Sequence, residues 1–408
     1  MKIALVSYEY PPETGGGGIG TYLTHAVRML QNRGHRVEVF AGGDQSRTTE
    51  TETGVPLHRV ECSTWPKFSE AVVPTFANRH ETVGFDVVEG PEYQADAAGV
   101  RARFPGLPLV VKLHTSSQML KQVNVIDHMT VWDKARFVLG ALRRGRLPDT
   151  LPWRYDPARD SERDHVLEAD VVSAPSRAIR DWTADTFGVD GTEIRHDPYP
   201  FEPKGSFLDV PIDTETNVVT FVGRLEMRKG VLDLAKAVPR VLEERPDAHV
   251  RFIGNSQNHP QTGEDLRVVL ERRLRAHRGS VEFTGRVPYR KIPSYLAETD
   301  ICVFPSLWEN FPNVCLEAMS AARGVVGSRS GGMSEMLGDG QCGNVVPPQD
   351  PDAIAAAILD LLNHPDRRKD YGTAARRRVL ETYSYDAIAP QQEACYEAAL
   401  RRHDSRSA

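Results

Sequence analysis

Residues 217–230, NVVTFVGRLEMRKG, decide how this chain is organised. They open on an apolar, β-branched run that reads as a buried strand and close on a glycine turn carrying cations. Immediately before them lies HDPYPFEPKGSFLDVPIDTET (196–216), rich in Pro, Gly and acids and without an apolar period. An alternation of strands and helices that runs from the N-terminus stops in that segment and restarts at Asn217. The segment therefore reads as an interdomain linker.

Before the linker, KIALVS (2–7), RVEVFA (36–41), LHRV (57–60), DVVE (86–89), LVVKLH (109–114) and DVVSAP (170–175) read as buried strands. After it come NVVTFVG (217–223), AHVRFIG (248–254), VEFTG (281–285), DICVFPS (300–306), GVVGS (324–328) and GNVVPP (343–348). Helical periods fill the intervals. Tyr22, Leu23, Ala26, Val27 and Leu30 share one helix face that ends at Gly34, and further helices fall at 230–244, 264–277, 289–298, 313–322 and 352–363. Strands alternating with helices imply parallel sheets covered on both faces. A length of 408 residues matches two domains of about 200 residues each. The expectation is α/β: two doubly wound parallel-sheet domains, 1–200 and 201–385, facing across a cleft. A terminal amphipathic helix at 386–408 packs back towards the first domain. Ligands then belong at the carboxyl ends of the strands.

Composition narrows the partners. A formal net charge of −6 argues against nucleic acid, whose phosphates need a basic surface. Five scattered cysteines (Cys62, Cys302, Cys315, Cys342 and Cys395) form no CxxC pair and read as reduced core thiols. The first residues form a strand rather than a signal peptide, and no apolar run approaches the roughly 18 residues of a membrane span. These features predict a cytoplasmic protein. Peripheral contact with the inner membrane face is left open by the basic stretch DKARFVLGALRRGR (133–146), in which Lys134, Arg136, Arg143, Arg144 and Arg146 stand beside Phe137, Val138 and Leu142. A solvated helix face is the plainer reading of the same stretch.

Gly15, Gly17 and Gly20 in EYPPETGGGGIGTYL spell G-x-G-x-x-G. A dinucleotide fingerprint needs its first glycine directly after the first strand, so that the helix start meets the pyrophosphate. Here Gly15 follows Ser7 by eight residues, past Pro11 and Pro12, and the expected ribose-binding acid is replaced by Ala41, Gly42 and Gly43. The dehydrogenase reading fails. A bland glycine loop and a cleft-lining loop remain, the latter with Gly17 and Gly18 offering N–H groups to an anion.

The second half carries the chemistry. Gly223, Arg224 and Lys229 follow one strand, and Gly285, Arg286 and Val287 follow another. In PSLWENFPNVCLEAMSAARGVVGSRSGGMSEML (305–337), Glu309 and Glu317 are separated by seven residues. Pro312 and Asn313 suit a helix start, which leaves the N–H groups of Phe311, Asn313 and Val314 for a phosphate. Carboxylates accept paired hydrogen bonds from vicinal hydroxyls. Two of them beside a phosphate-binding helix start, with Arg224 and Lys229 opposite, suggest a nucleotide diphosphate sugar. Asp350 and Asp352 form the chain's Asp-x-Asp pair, but Pro351 between them reads as the first residue of a helix capped by Asp350. No metal and no cofactor are therefore expected, and cations take the metal's part at the leaving group.

GRLEMRKG, the Glu309-x7-Glu317 spacing, EAMSA and GGMSE together resemble the retaining glycosyltransferases of family four, over nearly the whole chain. The resemblance implies the GT-B fold of two Rossmann-like domains. It implies Arg224 and Lys229 on the diphosphate, Glu317 on the ribose, Glu309 on the hydroxyls of the transferred sugar, and Arg286 and Val287 near the base. His114 in VVKLHTSS matches the family's cleft histidine beside the reaction centre, and the glycine loop becomes a cleft-lining loop. The chain departs from the family with RHDPYP after the first domain's last strand, and with NFPN after the first glutamate. The activity so implied is transfer of a hexose, from a UDP-sugar first and GDP-mannose next, to a hydroxyl of a glycan, glycolipid or small molecule. A sugar-nucleotide epimerase and a non-catalytic nucleotide-sugar-binding protein are the alternatives. Glu335 reads as a brace for the cleft helix, and Arg376, Arg377 and Arg378 read as surface charge.

Overall fold

The computed structural model describes every residue except Gly16, Ser63, 145–150 and Ala408; Arg146, part of the basic stretch, lies outside the described residues. Two sheets organise the chain. The first is built from β1 (Lys2–Val6), β2 (Arg36–Gly43), β3 (Arg47–Glu50), β4 (Pro56–Glu61), β5 (Val87–Pro91), β6 (Leu109–Lys112), β7 (Val171–Ala174) and β8 (Ile194–His196), in the order β3-β4-β2-β1-β5-β6-β7-β8. All its pairings are parallel except β3 with β4. The second contains β9 (Val218–Val222), β10 (His249–Ile253), β11 (Val281–Gly285), β12 (Ile301–Phe304), β13 (Gly324–Ser328) and β14 (Asn344–Val346), in the order β11-β10-β9-β12-β13-β14, all parallel.

Both sheets are doubly wound. Chain direction through the first reverses between β1 and β5, and through the second between β9 and β12. At such a switch point the flanking helices go to opposite faces and leave a crevice beyond the strands' carboxyl ends. The helix Gly18–Asn32 packs Leu23, Ala26, Val27 and Leu30 under β1 and β2, as its spacing predicts.

The linker is more ordered than its composition suggests. Its first residue, His196, closes β8, and Tyr199, Phe201 and Phe207 are buried. Phe201 N–H donates to the Tyr383 carbonyl at 2.7 Å. The aromatics act singly, each filling a gap between layers, so no period announces them. The terminal helix, Tyr385–Ser407, lies on the first sheet. Its Gln392 amide and Tyr396 hydroxyl donate to the buried Glu89 carboxylate at 2.6 and 2.9 Å, and Tyr22 from the glycine-loop helix donates to the same group at 2.6 Å.

Two expectations are corrected. A helix at Pro365–Arg378 was unread, and Arg376 and Arg378 at its end are not free surface charges. Arg376 donates to the Ser320 and Val210 carbonyls at 2.7 and 3.0 Å, and Arg378 to the Met336 and Glu335 carbonyls at 3.0 Å each. Guanidinium groups can satisfy carbonyls left over at helix ends, as at Ser320 here. Arg377 alone of the three is exposed. Asp350 caps its helix as expected, accepting the Ala353 N–H at 2.9 Å with Pro351 in the first turn. All five cysteines are free, and Cys302, Cys315, Cys342 and Cys395 are buried. Among the described residues no helix is long and apolar enough to cross a membrane.

Candidate active site

The two crevices face each other across a cavity of about 850 Å³. From the first sheet come the loop after β1, with Tyr8, Glu9, Gly17 and Gly18, and the strand end at His114. From the second come Gly223, Arg224, Arg228 and Lys229 after β9, and Glu309, Phe311, Pro312, Asn313, Val314 and Glu317 after β12.

The β9 turn is shaped by Gly230. Its φ of +69° lies in the left-handed region, and a Cβ there would fall 1.9 Å from the Pro305 carbonyl oxygen. Only glycine lets the turn press against the β12 loop, and Leu307 N–H closes that contact on the Arg228 carbonyl at 2.7 Å. Lys229 Nζ thereby comes to 2.6 Å from Glu309 Oε1, and Arg228 Nη1 reaches the same oxygen. Burial pushes the Glu309 carboxyl up, but the two cations outweigh it and hold the group below the ordinary glutamate range. Burial pulls the Lys229 ammonium down, with Glu309 working against the shift. Arg224 is half-exposed at the rim, 3.5 Å from Glu226 and within electrostatic reach of Glu9. It is the cation with most freedom to meet a ligand.

GGMSE has a structural job at the same place. A Cβ on Gly331, at φ +86°, would fall 1.9 Å from the Glu309 carbonyl oxygen, and Gly332 N–H donates to that carbonyl at 2.8 Å. The pair fixes the loop that carries Glu309. Glu335 of the motif stays out of the cavity and accepts from the Arg177 N–H and Nε at 2.9 and 3.1 Å, bracing one half against the other.

The cleft helix, Asn313–Ser320, starts after Pro312. The N–H groups of Phe311, Asn313 and Val314 have no partner among the described residues, so the positive helix end opens on the cavity. Glu317 follows one turn on, buried and without a charged neighbour. Burial alone pushes its carboxyl up to about 8.

His114 is buried at the end of β6 and bridges both halves. Its carbonyl accepts from the Asn310 side-chain amide, and Asn310 also accepts from Ser176 Oγ at 2.8 Å. Its ring Nδ1 lies 2.5 Å from the Tyr199 hydroxyl, which is 2.7 Å from the Leu113 carbonyl. When the Tyr199 proton lies on the Leu113 carbonyl, the hydroxyl accepts from Nδ1 and Nε2 keeps a lone pair; in the other tautomer Tyr199 donates to Nδ1. Burial, aided by Lys112, drops the His114 pKa to about 3, and the ring is neutral at physiological pH.

The structure thus gathers Gly17, Gly18, His114, Gly223, Arg224, Lys229, Glu309, Phe311, Pro312, Asn313, Val314 and Glu317 round one cavity. Arg286 and Val287, expected beside a base, follow β11, two places from β9; they do not line the cavity themselves, and Val287 packs against the core cluster that holds Phe311 and Leu316. Inside the glycine loop the Glu9 Oε2 accepts the Gly20 N–H at 3.2 Å, and burial raises the Glu9 carboxyl above its ordinary range.

Sequence reasoning missed Glu9, Arg228 and Asn310. Arg228 stands in the quoted EMRKG and could have been read from its place beside Lys229; Asn310 works through partners 134 and 196 residues away and gives no local signal. Tyr8, Trp65 and Tyr93 were missed too. They form an aromatic wall on the first-sheet side, with Tyr8 stacked on Trp65 at 4.8 Å and Trp65 edge-on to Tyr93 at 4.9 Å.

Comparison with known proteins agrees with this geometry. The family described as "Glycosyl transferase 4-like domain" matches residues 17–199, and "Glycosyl transferases group 1" matches residues 216–364. Alpha-maltose-1-phosphate synthase of Mycolicibacterium smegmatis is 27% identical over 414 residues, covering 96% of this chain and 97% of its own. Among solved structures, sucrose-phosphate synthase from Thermosynechococcus elongatus superposes with a TM-score of 0.72 at 22% identity, covering 97% of this chain and 98% of its own. HepE of Anabaena in complex with UDP gives 0.69 at 16% identity, covering 98% and 100%. Paired doubly wound sheets with a cavity between their switch points define the GT-B glycosyltransferases, and this chain is one of them. It belongs to glycosyltransferase family four.

Proposed function

We propose that the protein is a retaining, metal-independent hexosyltransferase that moves a sugar from a nucleotide diphosphate donor, a UDP-sugar first, to an acceptor hydroxyl. The observation that carries the reading is the convergence of Arg224, Lys229 and the open start of the cleft helix on one side of the cavity, with Glu309 and Glu317 flanking them.

In this reading the diphosphate lies against the helix start, and Arg224 and Lys229 neutralise it. Glu317 takes the ribose hydroxyls. Glu309, held ionised by Arg228 and Lys229, accepts from hydroxyls of the transferred sugar, and Nε2 of His114 hydrogen-bonds another. The bond from the anomeric carbon to the diphosphate oxygen breaks as the acceptor oxygen attacks the same face. The acceptor's proton passes to the departing diphosphate oxygen, so no protein base is needed. Charge growing on that oxygen is stabilised by groups already in position, which costs no reorganisation during the reaction. The acceptor enters from the first-sheet side, where the Tyr8–Trp65–Tyr93 wall offers apolar ring faces for a sugar. UDP is the first base to try, since HepE of Anabaena was captured with it.

The test is transfer from UDP-glucose, UDP-galactose and GDP-mannose to a panel of sugar acceptors in the presence of a chelator, with the product's anomeric configuration read by NMR. An α-linked product from an α-donor supports the reading. Inversion, a requirement for metal, or release of an epimerised free sugar without acceptor would overturn it.

A further inference from the structure

The helix Val131–Arg143 is held at its start by a reciprocal cap: Thr130 Oγ1 accepts the Asp133 N–H at 3.2 Å, and Asp133 accepts the Thr130 N–H at 2.9 Å. Its inner side is occupied, with Ala141 buried, Phe137 edge-on to Trp153 at 5.7 Å and Lys134 over the Trp153 ring at 6.0 Å. Its outer side is unusual. Val131 is 82% exposed, Trp132 81%, Leu139 59% and Leu142 50%.

At 100° per residue these four fall within one stripe about 100° wide. Arg136 and Arg143 lie along one edge of the stripe. Neither they nor Arg144 form an ion pair with any described residue. An apolar stripe tipped by tryptophan and edged by arginines, with Arg136 near the Asp133 carboxylate of its own helix, matches the interface of an anionic bilayer, which takes the apolar side chains below its headgroups and the guanidinium groups among its phosphates. The same charges disfavour an antiparallel two-fold contact with a second copy of the chain, which would set Arg136 and Arg143 of both copies along the same edge. Four side chains also fall short of the roughly 800 Å² per partner that a stable protein interface buries.

The position of the helix fits that role. It follows directly on the helix Ser117–Asn124, whose Leu120 lines the cavity, and the His128 carbonyl between the two helices accepts from Gln261 of the other half at 3.4 Å. The helix therefore begins a short way along the chain from the cavity wall. We infer that the outer face of the helix Val131–Arg143 docks the protein on an anionic lipid surface. That this docking serves an acceptor carried on a lipid rests on the transferase reading; the docking itself does not.

Co-sedimentation of the full chain with phosphatidylcholine vesicles, with and without phosphatidylglycerol, tests it. Binding is expected to the anionic vesicles only and to weaken with added salt as screening shortens. Arg136→Ala with Arg143→Ala should lower the partition about 25-fold, about fivefold per arginine. Trp132→Glu with Leu139→Glu should abolish it. Both pairs should keep the wild-type melting temperature and the wild-type thermal shift with UDP, which separates failure of the surface from failure of the nucleotide site. Absence of binding to anionic vesicles, equal binding by the variants, or a dimer that Trp132→Glu dissociates would overturn the inference.

Discussion

Glu317 gives the most quantitative handle on the cleft. Its carboxyl is raised by burial alone from the ordinary glutamate value near 4.5 to about 8, so the folded protein keeps this proton over a range in which the unfolded chain has lost it. Below about pH 4.5 both states are protonated, and the stability associated with the group is fully present. As pH rises towards 8 the unfolded state gains by ionising first, and stability is lost until the folded carboxyl ionises too. A window of about 3.5 pH units at about 1.4 kcal/mol per unit sets a ceiling of about 5 kcal/mol. The carboxyl borders the cavity, where water eases its ionisation, and about 2 kcal/mol is the expected share. Glu317→Gln keeps the shape and removes the titration. Urea unfolding of both proteins at pH 5 and pH 9 isolates the term, because every other titrating group is common to the two. The wild type should lose about 2 kcal/mol more than the variant between the two pH values. Parallel losses would refute the assignment of a protonated, unpartnered carboxyl to the cleft helix.

The two arginines of the β9 turn should separate cleanly. Arg224→Ala, at the rim, should leave stability within about 0.5 kcal/mol while weakening UDP binding, whereas Arg228→Ala should destabilise by about 3 kcal/mol because it removes a buried partner of Glu309; urea titration and calorimetry read the two effects. Gly230→Ala forces a left-handed backbone and a Cβ into the Pro305 carbonyl, and should cost at least about 2 kcal/mol in the same titration. His114, with its pKa dropped to about 3, should contribute no ionisation between pH 5 and 9. The kcat/KM profile of the wild type should therefore lack a histidine limb that His114→Asn removes.

The strands were legible because parallel strands covered on both faces are written in nearly unbroken apolar residues, as in NVVTFVG and KIALVS. What escaped lacked that signature. RTTE (β3) is an exposed edge strand whose polar residues carry no alternation. The helix Pro365–Arg378 buries Arg368, Gly372 and Ala375 rather than an apolar stripe. The cavity was legible in part, since glycine turns and helix starts sit at the strand ends where ligands collect. Which strand ends converge depends on strand order, and order is not written locally; Arg286 and Val287 were therefore placed near a base by resemblance alone. The long-range bonds of Asn310 and the Glu9 carboxylate under the glycine loop depend on the approach of distant segments.

Isothermal titration of UDP, with a chelator present, into wild-type protein and Lys229→Ala reads the grip on the diphosphate directly. Saturable one-to-one binding by the wild type, weakened at least about tenfold in the variant by loss of one buried charge-assisted contact, is the expected result. Equal affinity in the two proteins, or no binding of UDP, GDP or ADP to the wild type, would contradict it.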